Sequence, residues 1–396
     1  MTERTEEASP QGLASALVAA GALASDWLPT YKAVPRELFV PSRIWPGIPD
    51  GTRQNPLVDR ATDPEAWLTA VYSDIPLTTH WDDGAHTGDD LGTTPSTSNS
   101  QPHMVFSMLD DLDVKDGHRV LEIGTGTGWN AGLLSHRLGC ENVVSVEFDP
   151  AAAKGAADSL RAAGLSPLLI VGDGRLGHPD GAPYDRTIAT CSIGEVPQTW
   201  VEQTVTGGLI VAPWGPEYGG EAIARLTVNG DGTASGHFTR SSAFMRLRQQ
   251  RKTRPPFSAY LKGQPWPVNG IRSMTALSPP SVGGWVEQFV IGLLMPGAFW
   301  TAERYDDGTY TLWTYSTDTR SWASADFEPD RQSFDVVQSG PRKLWDETET
   351  AYLWWEEQGR PGFDRFGLTV DRSGEWAWLD SPNNPVPLTH RPRADN

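Results

Sequence analysis

The chain has 396 residues, a formal net charge of -18 and a pI near 4.8. It is longer than the roughly 250–300 residues over which one hydrophobic core keeps growing, so two domains are expected. The acidic balance excludes nucleic acid as a partner, because phosphate binding needs clustered Lys and Arg. Two cysteines, Cys140 and Cys191, make neither a disulfide framework nor a zinc site and fit a cytoplasmic compartment.

Residues 1–11 read as a polar tail, followed by a helix from about Leu13 to Asp26. The run "LASALVAAGALA" imitates the core of a signal peptide. Its flank "MTERTEE" is acidic where a signal is basic, and the run is too short to span a bilayer, so no membrane partner is expected. "YKAVPRELFVP" brackets one short turn between Pro35 and Pro41, and Trp45 to about Pro95 reads as long ordered loops. The hydroxyl- and amide-rich run Ser96-Thr97-Ser98-Asn99-Ser100-Gln101 then looks like the N-cap of a helix over "MVFSMLDDL".

From Val105 helices and buried strands alternate. "HRVLEIG" and "NVVSVEFD" read as strands around the helix "NAGLLSHRLG", which Gly139 closes. "PAAAKGAADSLRAAG" is a helix with Pro150 near its start, "PLLIVGDG" a third strand, and "YDRTIATCSI" and "GGLIVAPWG" two more. This rhythm means a parallel sheet covered on both faces. Beyond Pro216 an NGDG turn marks a hairpin, and the basic stretch "RLRQQRKTRPP" marks a boundary near residue 250. The remainder holds ten of the 17 tryptophans, with strand-like runs such as "QFVIGLLM", "GTYTLWTYS" and "GEWAWL" around the helix "RKLWDETETAYLWWEEQG". The division expected is therefore residues 1–250 and a smaller α+β domain over 251–396.

"VLEIGTGTGWNAG" sets Gly124, Gly126 and Gly128 between a strand and a helix, where a backbone without Cβ turns tightly and lets a ligand approach the helix N-terminus. A dinucleotide fingerprint would need glycine where Trp129 stands. The second strand ends in Glu147, placed to accept ribose hydroxyls, and the third in Asp173, placed to accept from an adenine amino group. Each carboxylate alone also fits a solvated strand end or a turn. In order at successive strand ends, the three features point to S-adenosylmethionine as cofactor.

The motifs "VPRELFVP", "YSDIPL", "SQPHMV", "VLEIGTGTGWNAGLLS", "VVSVE", "GDGRLG", "APYDRTIAT" and "GGLIVAPWG" occur in this order, and over about Leu17 to Leu247 the chain resembles the protein-L-isoaspartate O-methyltransferases. The resemblance implies an α/β, Rossmann-like methyltransferase domain whose parallel sheet ends in a C-terminal hairpin. It also implies a donor site drawing on Glu122, Gly124, Gly126, Gly128, Glu147, Asp173, Gly174 and Gln101. Ser98, Asn99 and Ser100 fall on the segment that lines the space between methyl donor and acceptor carboxylate, with Ser100 matching the hydroxyl that contacts the acceptor.

Three departures from that family stand out. A long acidic loop, "TTHWDDGAHTGDDLGTTPSTSN", precedes the acceptor segment; its His80 and His86 match no ligand spacing, so no metal is expected. The acceptor segment is more polar than usual, with Ser96-Thr97 and Asn99 at positions of Gly, Gln and Ile, and Arg246 and Arg248 stand where Pro and Thr are usual. An arginine there suits acidic substrate residues. With the appended Trp-rich domain, these departures resemble the variants associated with ribosomally made, modified peptides of lanthipeptide or graspetide type. The resemblance implies methylation of a chosen aspartate in a cyclised precursor peptide, followed by closure to a succinimide (aspartimide) and hydrolysis to isoaspartate. General repair of isoaspartyl proteins is the alternative within the family, and an inactive peptide-binding protein is the alternative outside it.

Overall fold

The structure is a computed structural model describing residues 8–48, 55–267 and 270–390, and the structural statements that follow concern those residues. The first seven residues of the expected polar tail lie outside them. α1 (Pro10–Ala19) starts under Ser9, whose hydroxyl accepts from the Gly12 amide at 3.0 Å. The helix expected to reach Asp26 therefore ends early, and α2 (Leu28–Ala33) follows beyond it. The chain leaves α1 through Gly21, which sits in the left-handed region at φ 74°.

The stretch expected to be loops is a small domain-like unit instead. β1 (Arg43–Pro46), β2 (Val58–Asp59), α3 (Pro64–Val71), β3 (Leu77–Trp81) and β4 (Pro95–Asn99) build an antiparallel sheet in the order β2-β1-β3-β4. Its strands are two to five residues long, too short for alternation to register in sequence. The Ser/Thr/Asn run is thus a strand, with Leu77 opposite Asn99 and Thr78 opposite Ser98. It does not cap the following helix, α4 (Pro102–Leu112). Asp74 does, accepting from the His103 amide at 2.8 Å, while Gln101 at the cap position makes no capping bond.

β5 (Val120–Ile123), α5 (Trp129–Leu138), β6 (Val143–Glu147), α6 (Pro150–Ala162), β7 (Leu168–Val171), β8 (Tyr184–Ala189), α7 (Gln198–Gln203) and β9 (Thr204–Trp214) form the parallel half of a nine-stranded sheet. β10 (Ala222–Val228) and β11 (Ala234–Ser241) add the hairpin. β5 pairs with β6 on one side and β8 on the other, so strand order reverses there and opens a crevice at the carboxyl ends of β5 and β6.

Beyond residue 250 come α8 (Phe257–Leu261), β12 (Ile271–Thr275), α9 (Pro279–Gly283), α10 (Trp285–Leu294), β13 (Ala298–Arg304), β14 (Tyr310–Ser316), β15 (Trp322–Phe327), β16 (Phe334–Ser339), α11 (Leu344–Glu357), β17 (Phe366–Asp371) and β18 (Gly374–Leu379). "QFVIGLLM" lies in α10 and is not a strand; a short apolar run buried on all sides carries no periodicity to distinguish the two. Five strands make a second antiparallel sheet, β12-β16-β15-β14-β13. The last hairpin does not join it. β17 pairs with β11 and extends the large sheet to nine strands, giving the order β18-β17-β11-β10-β9-β8-β5-β6-β7.

The division at residue 250 therefore cuts through a shared core. Trp214 and Phe238 of the large sheet pack on Phe289 at 6.1 and 5.0 Å, in one cluster with Trp345, Trp355 and Phe366. Trp322, Trp345, Trp355 and Trp378 are buried in core roles, whereas Trp266, Trp285 and Trp376 are exposed.

Candidate active site

The crevice is a cavity of about 1300 Å³. Its floor is the glycine loop after β5. Gly126 is in the left-handed region at φ 54°, and a Cβ there would lie 3.3 Å from the Ser98 carbonyl oxygen, so loop and β4 close on each other without room for a side chain. The Gly126 amide donates to Glu147 Oε2 and the Asp149 amide to Glu147 Oε1, both at 2.9 Å. These two bonds fix the carboxylate at the end of β6 on the cavity wall, with lone pairs left for a ligand's vicinal hydroxyls. Gly124 and Gly174 also line the cavity. Gly128 does not: a Cβ there would meet Ala156 at 3.1 Å, so this glycine brings α5 against α6.

Two carboxylates expected at the donor face elsewhere. Glu122 is fully buried inside the sheet, where Asn130 Nδ2 donates to it at 2.7 Å and the Ser145 hydroxyl is its second partner. Burial there pushes its pKa up to about 7. It braces the start of α5 and does not touch the cavity. Asp173 is not on the cavity wall either. Arg175 holds its carboxylate with Nη2 at 2.7 Å and with its amide at 2.9 Å, and these bonds, the Arg175 side chain foremost, keep its pKa below the usual range. Phe148, unremarked in the sequence, supplies an exposed aromatic wall beside Glu147. The glycine cradle, the fixed diol acceptor and this aromatic face fit S-adenosylmethionine without Glu122 or Asp173 in direct contact.

The opposite wall is the acceptor segment. Ser98, Asn99, Ser100 and Gln101 all line the cavity. Among the described residues the hydroxyls of Ser98 and Ser100 have no hydrogen-bond partner. Asn99 is different: it is buried, its Oδ1 accepts from Arg36 Nε at 2.6 Å and its Nδ2 donates to Thr127 Oγ1 at 2.9 Å. Both ends are engaged, so Asn99 ties β4 to the glycine loop and is a positioning residue. Gln101 Nε2 is held by Asp74, donating to its carbonyl oxygen at 3.1 Å.

Arg36 is the residue that sequence reasoning missed. It stands in "VPRELFVP", 1% exposed, and besides Asn99 it donates to the carbonyls of Val71 (2.8 Å), Ser73 (3.0 Å), Ile75 (2.9 Å) and Ser100 (2.9 Å). Burial pushes its pKa down to about 9. A basic residue between two prolines was the only signal, and nothing in sequence says where its donors go.

The third wall is basic. Arg246, Arg248, Arg251, Lys252 and Arg254 line the same cavity. Arg246 donates to the Gly215 carbonyl at 3.1 Å; Arg248 bridges Asp83 and Asp149, each at 2.9 Å; Arg251 meets Asp83 at 2.9 Å. His86 Nε2 lies 2.9 Å from the Asp90 carbonyl in the acidic loop, and no group of three metal-ligating side chains occurs among the described residues. No described helix is long and apolar enough to cross a membrane.

With this geometry in hand, comparison with known proteins is direct. The family model for protein-L-isoaspartate(D-aspartate) O-methyltransferase matches residues 58–252. The chain is 36% identical to the protein-L-isoaspartate O-methyltransferase of Pyrococcus horikoshii over 38% of its own length and 68% of that protein. It is 37% identical to protein-L-isoaspartate O-methyltransferase 1 of Archaeoglobus fulgidus over 46% of its length and 69% of that protein. A match to the Methanoculleus marisnigri enzyme is 43% identical but spans only 53% of that protein. A solved protein-L-isoaspartate O-methyltransferase shares the fold at a TM-score of 0.51 and 21% identity, over 94% of this chain and 100% of that one. The chain belongs to the protein-L-isoaspartate O-methyltransferase family of S-adenosylmethionine-dependent carboxyl methyltransferases.

Proposed function

We propose that the protein methylates an aspartyl-type side-chain carboxylate in a peptide, and that its natural acceptor is one aspartate of a modified, cyclised precursor peptide. The observation that carries the carboxyl chemistry is the juxtaposition across one cavity of the Gly126–Glu147 cradle and the unpartnered hydroxyl of Ser100. S-adenosylmethionine, when bound, supplies an electrophilic sulfonium methyl. An acceptor carboxylate is already ionised near neutral pH, so the protein needs no general base. Its contribution is to hold one carboxylate oxygen in line with that methyl and to exclude water. Ser100 donates a neutral hydrogen bond to the acceptor, which orients the carboxylate without quenching its nucleophilicity as an ammonium would. Arg36 and Asn99 keep that hydroxyl in register with the loop. The ester then closes by attack of the following backbone nitrogen, releasing methanol, and water opens the succinimide to aspartate or isoaspartate.

The polar acceptor segment, the acidic loop and the basic wall support a chosen substrate over arbitrary damaged proteins. The C-terminal region alone does not, because the alignment with a solved isoaspartate methyltransferase extends over 94% of this chain. That coverage is the observation favouring the second reading, general repair of isoaspartyl proteins. Mass spectrometry separates them: a generic isoaspartyl peptide, its aspartyl twin and a cyclised aspartyl precursor peptide are incubated with enzyme and S-adenosylmethionine. The proposal expects a methyl on the cyclised peptide and slow or no transfer to the linear pair. Rapid methylation of the isoaspartyl peptide alone would establish the repair reading. Failure of S-adenosylhomocysteine to raise the melting temperature would leave only a binding protein.

A further inference from the structure

The basic wall is unusual for this chain. Five cationic side chains fall within residues 246–254 of a protein whose net charge is -18, and all five face one cavity. Three of them have partners fixed in the scaffold or are diverted from it: Arg246 is spent on the Gly215 carbonyl, Lys252 lies 3.4 Å from Glu217, and Arg254 stands over the Phe299 ring at 5.3 Å. Arg248 and Arg251 share a partner of another kind. Asp83 Oδ1 lies 2.9 Å from Arg248 Nε and 2.9 Å from Arg251 Nη1, with Oδ2 a further 3.1 Å contact of Arg251.

Asp83 reaches this fork from 168 residues away in sequence. It comes from the acidic loop, in which Asp82 and Asp83 both adopt left-handed backbone angles, φ 51° and 56°. The chain turns there through two successive left-handed residues, a conformation aspartate adopts more readily than most residues with a Cβ. Asp83 is half exposed whereas Arg248 and Arg251 are mostly covered, at 49%, 18% and 26%. The arginines are held from behind by Asp149 and by the Arg246 carbonyl, which accepts from Arg251 Nε at 3.2 Å. The cationic fork is therefore built into the scaffold, and Asp83 is its more exposed occupant.

We propose that the Arg248–Arg251 fork is a specificity subsite for a carboxylate of the acceptor peptide, flanking the methylated residue, and that Asp83 occupies it in the free protein. A peptide laid along the Ser100 wall crosses this fork in the same cavity. An acidic side chain on it replaces the Asp83 carboxylate at the fork. This rests on the peptide-acceptor reading above and names a feature of that peptide.

Binding tests it apart from turnover. Two labelled, cyclised aspartyl peptides, one with Glu and one with Gln two residues after the acceptor, are titrated by fluorescence anisotropy against the full chain with S-adenosylhomocysteine present. The Glu peptide is expected to bind about fivefold tighter to the wild type. Asp83→Asn removes the competitor and widens the gap; Arg251→Gln closes it; high salt closes it in the unmutated protein, a result independent of either variant's folding. Equal affinities in the wild type, tightening of both peptides alike by Asp83→Asn, or binding of neither would overturn the subsite. If the affinity pattern holds but neither cyclised peptide gains a methyl when S-adenosylmethionine replaces S-adenosylhomocysteine, the subsite stands and the proposed acceptor chemistry fails.

Discussion

Arg36→Lys is the sharpest perturbation of the acceptor wall. The guanidinium makes five hydrogen bonds of 3.0 Å or less, to Asn99 Oδ1 and to the carbonyls of Val71, Ser73, Ile75 and Ser100. A lysine ammonium has three donors and no fork, so at least two acceptors are left unpaired in a buried setting, each costing about 1–3 kcal/mol. The burial that draws Arg36 down to about 9 also acts on a lysine from a lower starting value and weakens its charge. A loss of about 3–5 kcal/mol follows, a large part of a typical domain's stability but short of all of it. Since Arg36 touches Asn99 and Ser100 and not Glu147, kcat should fall by about tenfold or more while donor affinity changes by less than about threefold. Urea denaturation, thermal shift with S-adenosylhomocysteine and methyl transfer per folded molecule give the three numbers. Lost stability with kcat unchanged would refute the positioning role.

Ser100→Ala should lower kcat by about tenfold and leave the melting shift given by S-adenosylhomocysteine intact; equal loss of both would make Ser100 a donor ligand. Glu122 is fully buried and Glu375 half-buried, its carboxylate accepting from the Val196 amide and Trp214 Nε1 at 2.9 Å; desolvation pushes both pKa values up to about 7, so between about pH 4.5 and 7 the native state holds protons that the unfolded chain has released. The stability these two groups contribute is therefore fully present below that window and is lost as pH rises through it, by up to about 3 kcal/mol per group. Glu122→Gln mimics the protonated acid toward Ser145 and Asn130 and should flatten one group's share, read from urea midpoints at pH values either side of the window. A fragment ending at residue 250 should aggregate on size-exclusion chromatography, because it strips β17 from β11 and uncovers Phe238 and Trp214; a monodisperse, melting fragment would contradict the shared core.

The donor half of the protein is legible because its determinants are local. β5 and β6 are buried on both faces and read as apolar runs, Gly139 and Pro150 punctuate the helices, and the glycine loop sits where the topology reverses. Position along the chain does not say which way a side chain points. Glu122 and Glu147 both end or flank strands, yet one turns into the sheet and the other onto the cavity, a difference set by Asn130 and Ser145 on one side and the Gly126 amide on the other. Asn99 looks like a substrate ligand until Arg36 and Thr127 claim both ends of its amide. The β1–β4 sheet eludes sequence reading because its strands are too short to show alternation. β18 is legible as the strand-like run "GEWAWL", but the pairing of β17 with β11 is not, because that partner lies far away in the chain.

Charge shows the same principle at longer range. Taken separately, the acidic loop reads as a solvated excursion and "RLRQQRKTRPP" as a domain boundary, and each is a sound inference from composition. Folded, they meet: Asp83 lies between Arg248 and Arg251, and Arg248 also reaches Asp149 at the start of α6, whose amide donates to Glu147. The acidic loop, the donor wall and the entry to the C-terminal region are thus joined by one guanidinium. Surface ion pairs contribute little to stability, about 0–1 kcal/mol each, so these contacts are poorly suited to holding the fold together. They are well suited to being exchanged, because a carboxylate arriving on a peptide replaces Asp83 at nearly equal electrostatic energy. The entrance is then governed by which carboxylate occupies the fork, and selectivity arises from competition without a pocket shaped to one side chain.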